Sequence, residues 1–248
     1  MVNGAIDLSV VIPCYNEERN IPILLRNFSR ILASRNQIEL ILVDNGSQDQ
    51  TGKMIEQEIA QKGYAFARKV AVQGNRGYGF GILSGLKQAR GTILAWTHAD
   101  LQTDPEDVLR AYQLYLEKSK GSKKILVKGH RKNRDLLEKL LSLGMQLLTN
   151  IVLGAWLDEI NAQPKLFPRT LLEKMTDPPE DFSLDLYLLY LAKREKYEIV
   201  SLPVYFKERI YGEAKGGGGG FKIRWNLIQR TLHYIFALKG KVAQNSLA

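Results

Sequence analysis

The sequence predicts an α/β protein whose mostly parallel central sheet carries helices on both faces. Three observations support this. Short apolar runs alternate with helical patterns through the first half of the chain, and such alternation builds parallel sheets. Several of those runs stop abruptly at polar residues: one before "CYNEE", one at "DNGSQD", one at "THADLQ". The 248 residues, 45% hydrophobic and 25% charged, suffice for one large domain with a buried core.

The elements follow in order. Residues 7–13 read as a strand, 20–34 as a helix and 38–44 as a second strand. An Asp/Thr-rich turn starts a helix over 49–61. A third strand covers 66–73, a helix 79–89 and a fourth strand 92–96. Asp104-Pro105-Glu106-Asp107 is a helix start, with Pro at the first position and acids in the first turn. The second half is less regular. A helix is expected over 106–118, a strand over 125–128, and a long apolar helix or helical pair over 135–153. "EINAQPKLFPR" reads as a strand or edge strand that enters a helix. A helix over 182–194 and a strand over 198–205 follow. Five glycines, Gly216 to Gly220, make a mobile loop by composition. Beyond them Phe221, Trp225, Ile228, Leu232 and Ile235 form one helical stripe flanked by Lys222, Arg224 and Arg230. That stripe suits either the core or a bilayer interface.

The formal net charge of +9 suits nucleic acid, anionic lipid or phosphate ligands. There is no zinc spacing, RNP-like sequence or basic zipper, so no nucleic-acid partner is expected. The positive residues thicken after residue 119, in "KGSKKILVKGHRKNR" and near the C-terminus, which favours a membrane surface or an anionic acceptor. The single cysteine, Cys14, allows no internal disulfide and suggests a reducing compartment. It reads as a small residue at a strand end. The N-terminus lacks a basic-then-apolar signal segment. Residues 140–157 are uncharged, but Ser142, Gln146, Thr149 and Asn150 interrupt them and Gly144 and Gly154 weaken them. A buried or membrane-facing helix is expected there, not a span. The expected location is the cytoplasm, peripheral at the membrane's cytoplasmic face.

The most informative residues are Asp100 and Gln102. They lie two apart at the end of an apolar run, where ligands bind in open α/β sheets. Two oxygen-bearing side chains at such an edge suit a hard cation, Mg²⁺ or Mn²⁺. That cation in turn suits a diphosphate. Helix capping accounts for Asp104 but not for these two, which lie upstream of the cap.

Three further segments precede "HADLQ": "VVIPCYNEERNI", "LILVDNGSQDQT" and "NRGYGFGILSGLKQARG". In that order the four resemble the family 2 nucleotide-sugar glycosyltransferases. The nearest subgroup looks like the dolichol-phosphate mannose synthase and polyprenyl-phosphate glycosyltransferase branch. The resemblance covers roughly the first 110 residues and reappears near 158–167, 182–205 and 209–220. It implies a GT-A fold, a Rossmann-like single domain over 1–205. A nucleotide-sugar-binding half would span 1–110 and an acceptor-side half 111–205. A basic Gly-rich loop (206–220) and an amphipathic helix and tail (221–248) would follow.

The resemblance also implies roles. Pro13, Tyr15 and Glu17 would cradle the donor nucleotide, and Asp44 would meet its base. The glycine run containing Gly77 would bring backbone and helix close to the donor. Ala99 and Asp100 would complete the donor site. Two departures stand out. Tyr78 and Leu83 occupy places where Lys or Arg is common, and His98-Ala99-Asp100 replaces the usual Asp-X-Asp. Asp100 is then the stronger metal ligand, with Gln102 as its partner; His98 would ligate through a neutral ring, support the site or stack on the donor. On the acceptor side, "ERIYGEAKGGGGG" resembles an Arg-X-Tyr-Gly-Glu-Ser-Lys segment that grips a lipid phosphate. This places Arg209 and Lys215 there, with Arg131 and Arg134 as weaker candidates. Asp185 would act as a base or orient the acceptor. Gln163 and Lys165 would point into the cleft.

The implied activity is metal-dependent, inverting transfer of a sugar from a UDP- or GDP-sugar to a polyprenyl phosphate at the membrane. Transfer to a saccharide hydroxyl, or nucleotide-sugar binding without catalysis, are the alternatives. A phosphate acceptor is already ionised at neutral pH and needs cations more than a base; a hydroxyl needs a base.

Overall fold

The computed structural model describes residues 5–121, 124–133, 136–209, 211, 229 and 234–239. Seven strands form one sheet: β1 (Leu8–Cys14), β2 (Ile38–Asp44), β3 (Ala67–Ala71), β4 (Ile93–Trp96), β5 (Ile125–Arg131), β6 (Lys165–Pro168) and β7 (Glu198–Val204). The helices are α1 (Ile21–Leu32), α2 (Thr51–Lys62), α3 (Tyr78–Gln88), α4 (Pro105–Lys118), α5 (Leu136–Leu153), α6 (Arg169–Leu172) and α7 (Leu184–Arg194). The strand order is β3-β2-β1-β4-β6-β5-β7. All neighbouring pairs are parallel except those made by β6, which runs antiparallel to β4 and β5.

Central strands buried on both faces need apolar side chains on both. In β1 and β2 one set, Val10, Ile12, Leu40 and Leu42, packs under α1 with Leu25 and Phe28. The alternate set, Val11, Ile41 and Val43, packs under α3 and α7 with Leu86 and Leu188. Gly85 has no side chain because Val11 and Val43 occupy that space, which seats α3 directly on β1 and β2. Strand order reverses between β1 and β4. A crevice therefore opens beyond their C-terminal ends, where such folds bind ligands. The "CYNEE" and "THADLQ" loops both leave from that edge.

The structure corrects two expectations. "EINAQPKLFPR" is strand only from Lys165, and it lies in the sheet's interior, not at an edge. Residues before it turn instead, and Gly129 N–H donates to the Pro164 carbonyl at 2.9 Å where the pairing ends. The stretch expected as a strand over 66–73 is five residues long, since the chain leaves β2 after Ala71 toward the glycine run. Of the two readings for 135–153 the single long helix holds, over residues 136–153. The glycine pentad and most of the stripe beyond it lie outside the described residues. Residues 234–239 are helical, with Ile235 and Leu238 buried in the second core layer.

Two polar groups cross-link the sheet from inside. At the lower edge Glu39 is buried, accepts from Ser9 Oγ at 2.6 Å, and pairs with Arg68 at 3.1 Å and Arg90 at 2.9 Å. Burial alone would raise the Glu39 carboxyl. The donors of Ser9, Arg90 and Arg68 outweigh it and hold the group below its usual range. At the upper edge Trp96, Lys165 and Lys128 stand opposite one another across β4, β6 and β5, on one face. Both lysines are buried. Lys128 faces Asp158 at 3.0 Å, and Lys165 faces Asp185 at 3.3 Å. Lys165 Nζ also donates to the Ile160 and Ala162 carbonyls at 2.7 and 2.6 Å. Burial pushes Lys165 down to about 8.

Glu39→Gln should cost about 2 kcal/mol in urea unfolding at pH 7, since charged hydrogen bonds are lost in a buried place. Because the Glu39 carboxyl is depressed by folding, the difference should be full above about pH 4.3, the unfolded value. It should vanish as pH falls through the lower folded value. Lys165 has the opposite signature. Its ammonium is more easily deprotonated folded than unfolded, so wild-type stability should rise with pH from about 8 to roughly 10. Urea titrations of Lys165→Met across that window should show a shallower rise.

Candidate functional site

The crevice is built from three loops at the upper edge. The first follows β1. Here Asn16 N–H donates to Ser47 Oγ at 3.2 Å and Glu17 N–H to Thr51 Oγ1 at 2.7 Å. In return Gln48 N–H donates to Asn16 Oδ1 at 2.8 Å. The first loop is thereby stitched to the second, which follows β2. Pro13, Tyr15 and Glu17 are partly exposed on it. Asn20 Nδ2 donates to Glu17 Oε2 at 2.5 Å, fixing that carboxylate. Asp44 ends β2 opposite Cys14, accepts from Ser47 N–H at 3.1 Å, and presses its other oxygen against Gly52. Burial, then the carboxylates of Glu17 and Asp44, push the Cys14 thiol up. Cys14 is a buried strand-end residue, as expected.

The glycine run behaves differently from expectation. Gly77 has φ +131°, and a side chain there would run into the Glu180 carbonyl. A Cβ on Gly79 would meet the Pro179 and Asp181 carbonyls at 2.6 and 2.7 Å. Phe80 N–H donates to the Glu180 carbonyl at 2.8 Å. The approach that these glycines permit is therefore made by the chain's own 179–181 segment, which Arg76 clasps through Glu180. A loop carbonyl already takes one of the first-turn N–H groups of α3. Asn45, which the sequence did not single out, anchors this side. Its Nδ2 donates to the Gly77 carbonyl at 2.9 Å, while its buried Oδ1 has no partner among the described residues.

The third loop, "THADLQTDP", holds the centre. Asp104 caps α4 by accepting from Glu106 N–H at 3.1 Å, as expected. Asp100 accepts from Gln102 N–H at 3.1 Å. Ala99 is buried in the core beneath. Arg209, beyond β7, places Nη2 at 2.7 Å from Asp100 Oδ2 and 3.4 Å from Gln102 Oε1. Two oxygens from different side chains therefore converge on one positive group, and this donor set fits a hard cation. Among the described residues no three His, Cys, Asp or Glu side chains converge as a metal group. Such a site would leave most positions for phosphate and water oxygens, the usual habit of Mg²⁺.

His98 lies between Tyr78, at 5.8 Å between ring centroids, and Phe206, at 6.5 Å. Burial lowers its pKa more than the nearby carboxylates of Asp100 and Asp185 raise it, so the ring is neutral at pH 7. Asp185 is 1% exposed. Its Oδ1 accepts from Trp96 Nε1 at 3.2 Å and Gln163 Nε2 at 3.0 Å, with Lys165 beside it. Gln163 and Lys165 thus turn inward to Asp185. Arg131 is likewise engaged, at 2.8 Å from the buried Glu159 and over the Phe206 ring. Arg134 and Lys215 lie outside the described residues.

With this geometry in view, the comparisons are informative. The chain is 30% identical over 215 residues to the undecaprenyl-phosphate 4-deoxy-4-formamido-L-arabinose transferase of Pseudomonas fluorescens strain Pf0-1, covering 84% of this chain and 59% of that protein. The enzyme of the same name from Klebsiella pneumoniae is 27% identical over 211 residues, covering 84% and 62%. The chain spans about 60% of the length of these curated relatives. The fold matches glucosyl-3-phosphoglycerate synthase from Mycobacterium tuberculosis in complex with UDP at TM-score 0.72 and 19% identity, over 96% of this chain and 82% of that one. It also matches a mannosyltransferase from Pyrobaculum calidifontis in complex with GDP-Man and Mn²⁺ at TM-score 0.61 and 20% identity, over 86% and 59%. These likenesses establish the GT-A fold. The profile of glycosyl transferase family 2 matches residues 9–144, more than half the chain, and the protein belongs to that family.

Proposed function

We propose that the protein transfers a sugar from a nucleotide-sugar donor to a polyprenyl phosphate, using a divalent cation at Asp100. The convergence of Asp100, Gln102 and Arg209 carries this reading. It brings a basic residue of the acceptor-side segment to the carboxylate suited to a metal. The curated relatives are named as undecaprenyl-phosphate transferases, which agrees with a lipid phosphate as acceptor.

In this reading Pro13, Tyr15, Glu17 and Asp44 surround the nucleoside, and Asp100 and Gln102 hold the cation, with His98 as their neighbour. When bound, the cation would neutralise charge on the departing nucleoside diphosphate. Arg209 lies where it can turn from Asp100 to an acceptor phosphate, joined by Lys215. An oxygen of that phosphate attacks the anomeric carbon. The bond to the diphosphate breaks on the opposite side, and configuration inverts. The acceptor is already ionised, so no base is required. This suits Asp185, whose buried carboxylate is committed to Trp96, Gln163 and Lys165 and orients the site from behind. A saccharide hydroxyl would lack that base. Arg131 would have to leave a buried carboxylate to assist, so Arg209 is the primary grip.

Membrane contact is part of the same proposal. No helix among the described residues is long and apolar enough to cross a membrane. Leu147, Ile151 and Trp156 are nonetheless 47%, 77% and 50% exposed, on α5 and just beyond it. Aromatic and aliphatic groups of this kind enter a lipid interface.

With undecaprenyl phosphate and a panel of radiolabelled UDP- and GDP-sugars, label should pass into an organic-extractable product. Asp100→Ala should lower the rate about 100-fold or more. Label in a water-soluble saccharide instead would overturn the lipid acceptor. Arg209→Ala should raise KM for undecaprenyl phosphate about tenfold or more, with donor KM little changed, as expected for one charged contact to a phosphate.

A further inference from the structure

The sugar of a bound donor hangs from the phosphate next to the cation. Its ring must then lie within a sugar's width of Asp100. Four partly exposed rings border that place: Phe182, Tyr78, His98 and Phe206. They form a row. Phe182 and Tyr78 stack at 4.8 Å with planes 10° apart, Tyr78 meets His98 at 5.8 Å, and His98 meets Phe206 edge-on at 6.5 Å. Both Tyr78 and His98 lie within electrostatic reach of Asp100 and Asp185.

We propose that Tyr78 and His98, braced by Phe182 and Phe206, form an aromatic wall that receives the transferred sugar of the donor, with Gln163 fixing Tyr78 from behind. This rests on the donor site assigned above. Three features support it. First, the rings are contiguous: Tyr78 stacks on Phe182 and meets His98, which meets Phe206 edge-on. Second, two of the places where the chain departs from the resembled family, Tyr78 and His98, bring their rings together. Third, the wall is rigid. Gln163 Nε2 donates to Tyr78 Oη at 3.1 Å and to Asp185 Oδ1 at 3.0 Å, which ties the ring to the buried polar layer. Rigid rings bind at low entropic cost because few rotors are lost on contact. A pyranose offers one face of C–H groups, and packing that face on a ring excludes water from both. The wall should thus reward the sugar, not the diphosphate.

The test compares each diphosphate with its sugar nucleotide: UDP with UDP-glucose and GDP with GDP-mannose, in Mn²⁺, by calorimetric titration. Wild type should bind one sugar nucleotide more tightly than the matching diphosphate. Tyr78→Leu, which keeps volume but loses the ring, should weaken the sugar nucleotide roughly five- to tenfold. Diphosphate binding should stay within about twofold of wild type. Tyr78→Phe keeps the ring and should retain the sugar's advantage. If diphosphate binds but the sugar adds nothing, or Tyr78→Leu leaves its advantage intact, the wall is wrong while the nucleotide site stands. If Phe fails as badly as Leu, the hydroxyl and not the ring matters, and the proposal also falls. If neither diphosphate binds, the donor site itself is wrong.

Discussion

The upper half of this structure depends on one buried carboxylate. Asp185 is placed by α7 against the face of the sheet, where a bare charge is untenable. Trp96 from β4, Gln163 from the turn before β6 and Lys165 from β6 all converge on it. Each of those groups would be costly to bury alone. Together they satisfy one another and fix four segments at the edge where the crevice opens. Removing one member of such a set typically costs about 3–5 kcal/mol, because the remaining charge is left uncompensated. The network is thus better understood as a device for positioning than as a source of net stability.

From that layer the chemistry rises in steps. Gln163 passes the constraint to Tyr78, whose ring meets His98, and burial lowers the His98 pKa. With two neutral rings beside it, Asp100 becomes the negative focus of the cleft, and Arg209 supplies the answering charge. The +9 charge of the chain is less informative than this local balance, because solvent-exposed charges are screened within about 8–10 Å at physiological salt.

Much of this was legible in the residues. Alternating apolar runs located β1, β2 and β4, because central parallel strands need continuous apolar side chains. Where those strands stop, the polar "CYNEE" and "THADLQ" segments marked the crevice. Asp104 was separable from Asp100 because capping has its own local grammar. The strand β6 was legible, but its central, antiparallel place was not, because that depends on contacts with β4 and β5, distant in sequence. Gln163 and Lys165 looked like cleft residues, and only the fold reveals that both turn to Asp185. The glycines of the 77–85 run signalled close approach, but sequence could not say that Glu180, about a hundred residues on, makes it. Arg131 looked like a free cation because its partner Glu159 is also a long-range contact. Asn45 carried a weak signal, an amide directly after the Asp that ends β2.

The central claim is that Asp100 anchors a cation-dependent nucleoside diphosphate site. The most direct measurement is thermal stabilisation by UDP and by GDP, each with Mn²⁺ or Mg²⁺, on wild type and Asp100→Ala. A ligand bound only by the native state must raise its melting temperature. The account predicts a shift for one nucleotide that needs the metal and disappears in Asp100→Ala. A shift that is independent of metal, or that survives in Asp100→Ala, would contradict it, as would no shift with either nucleotide.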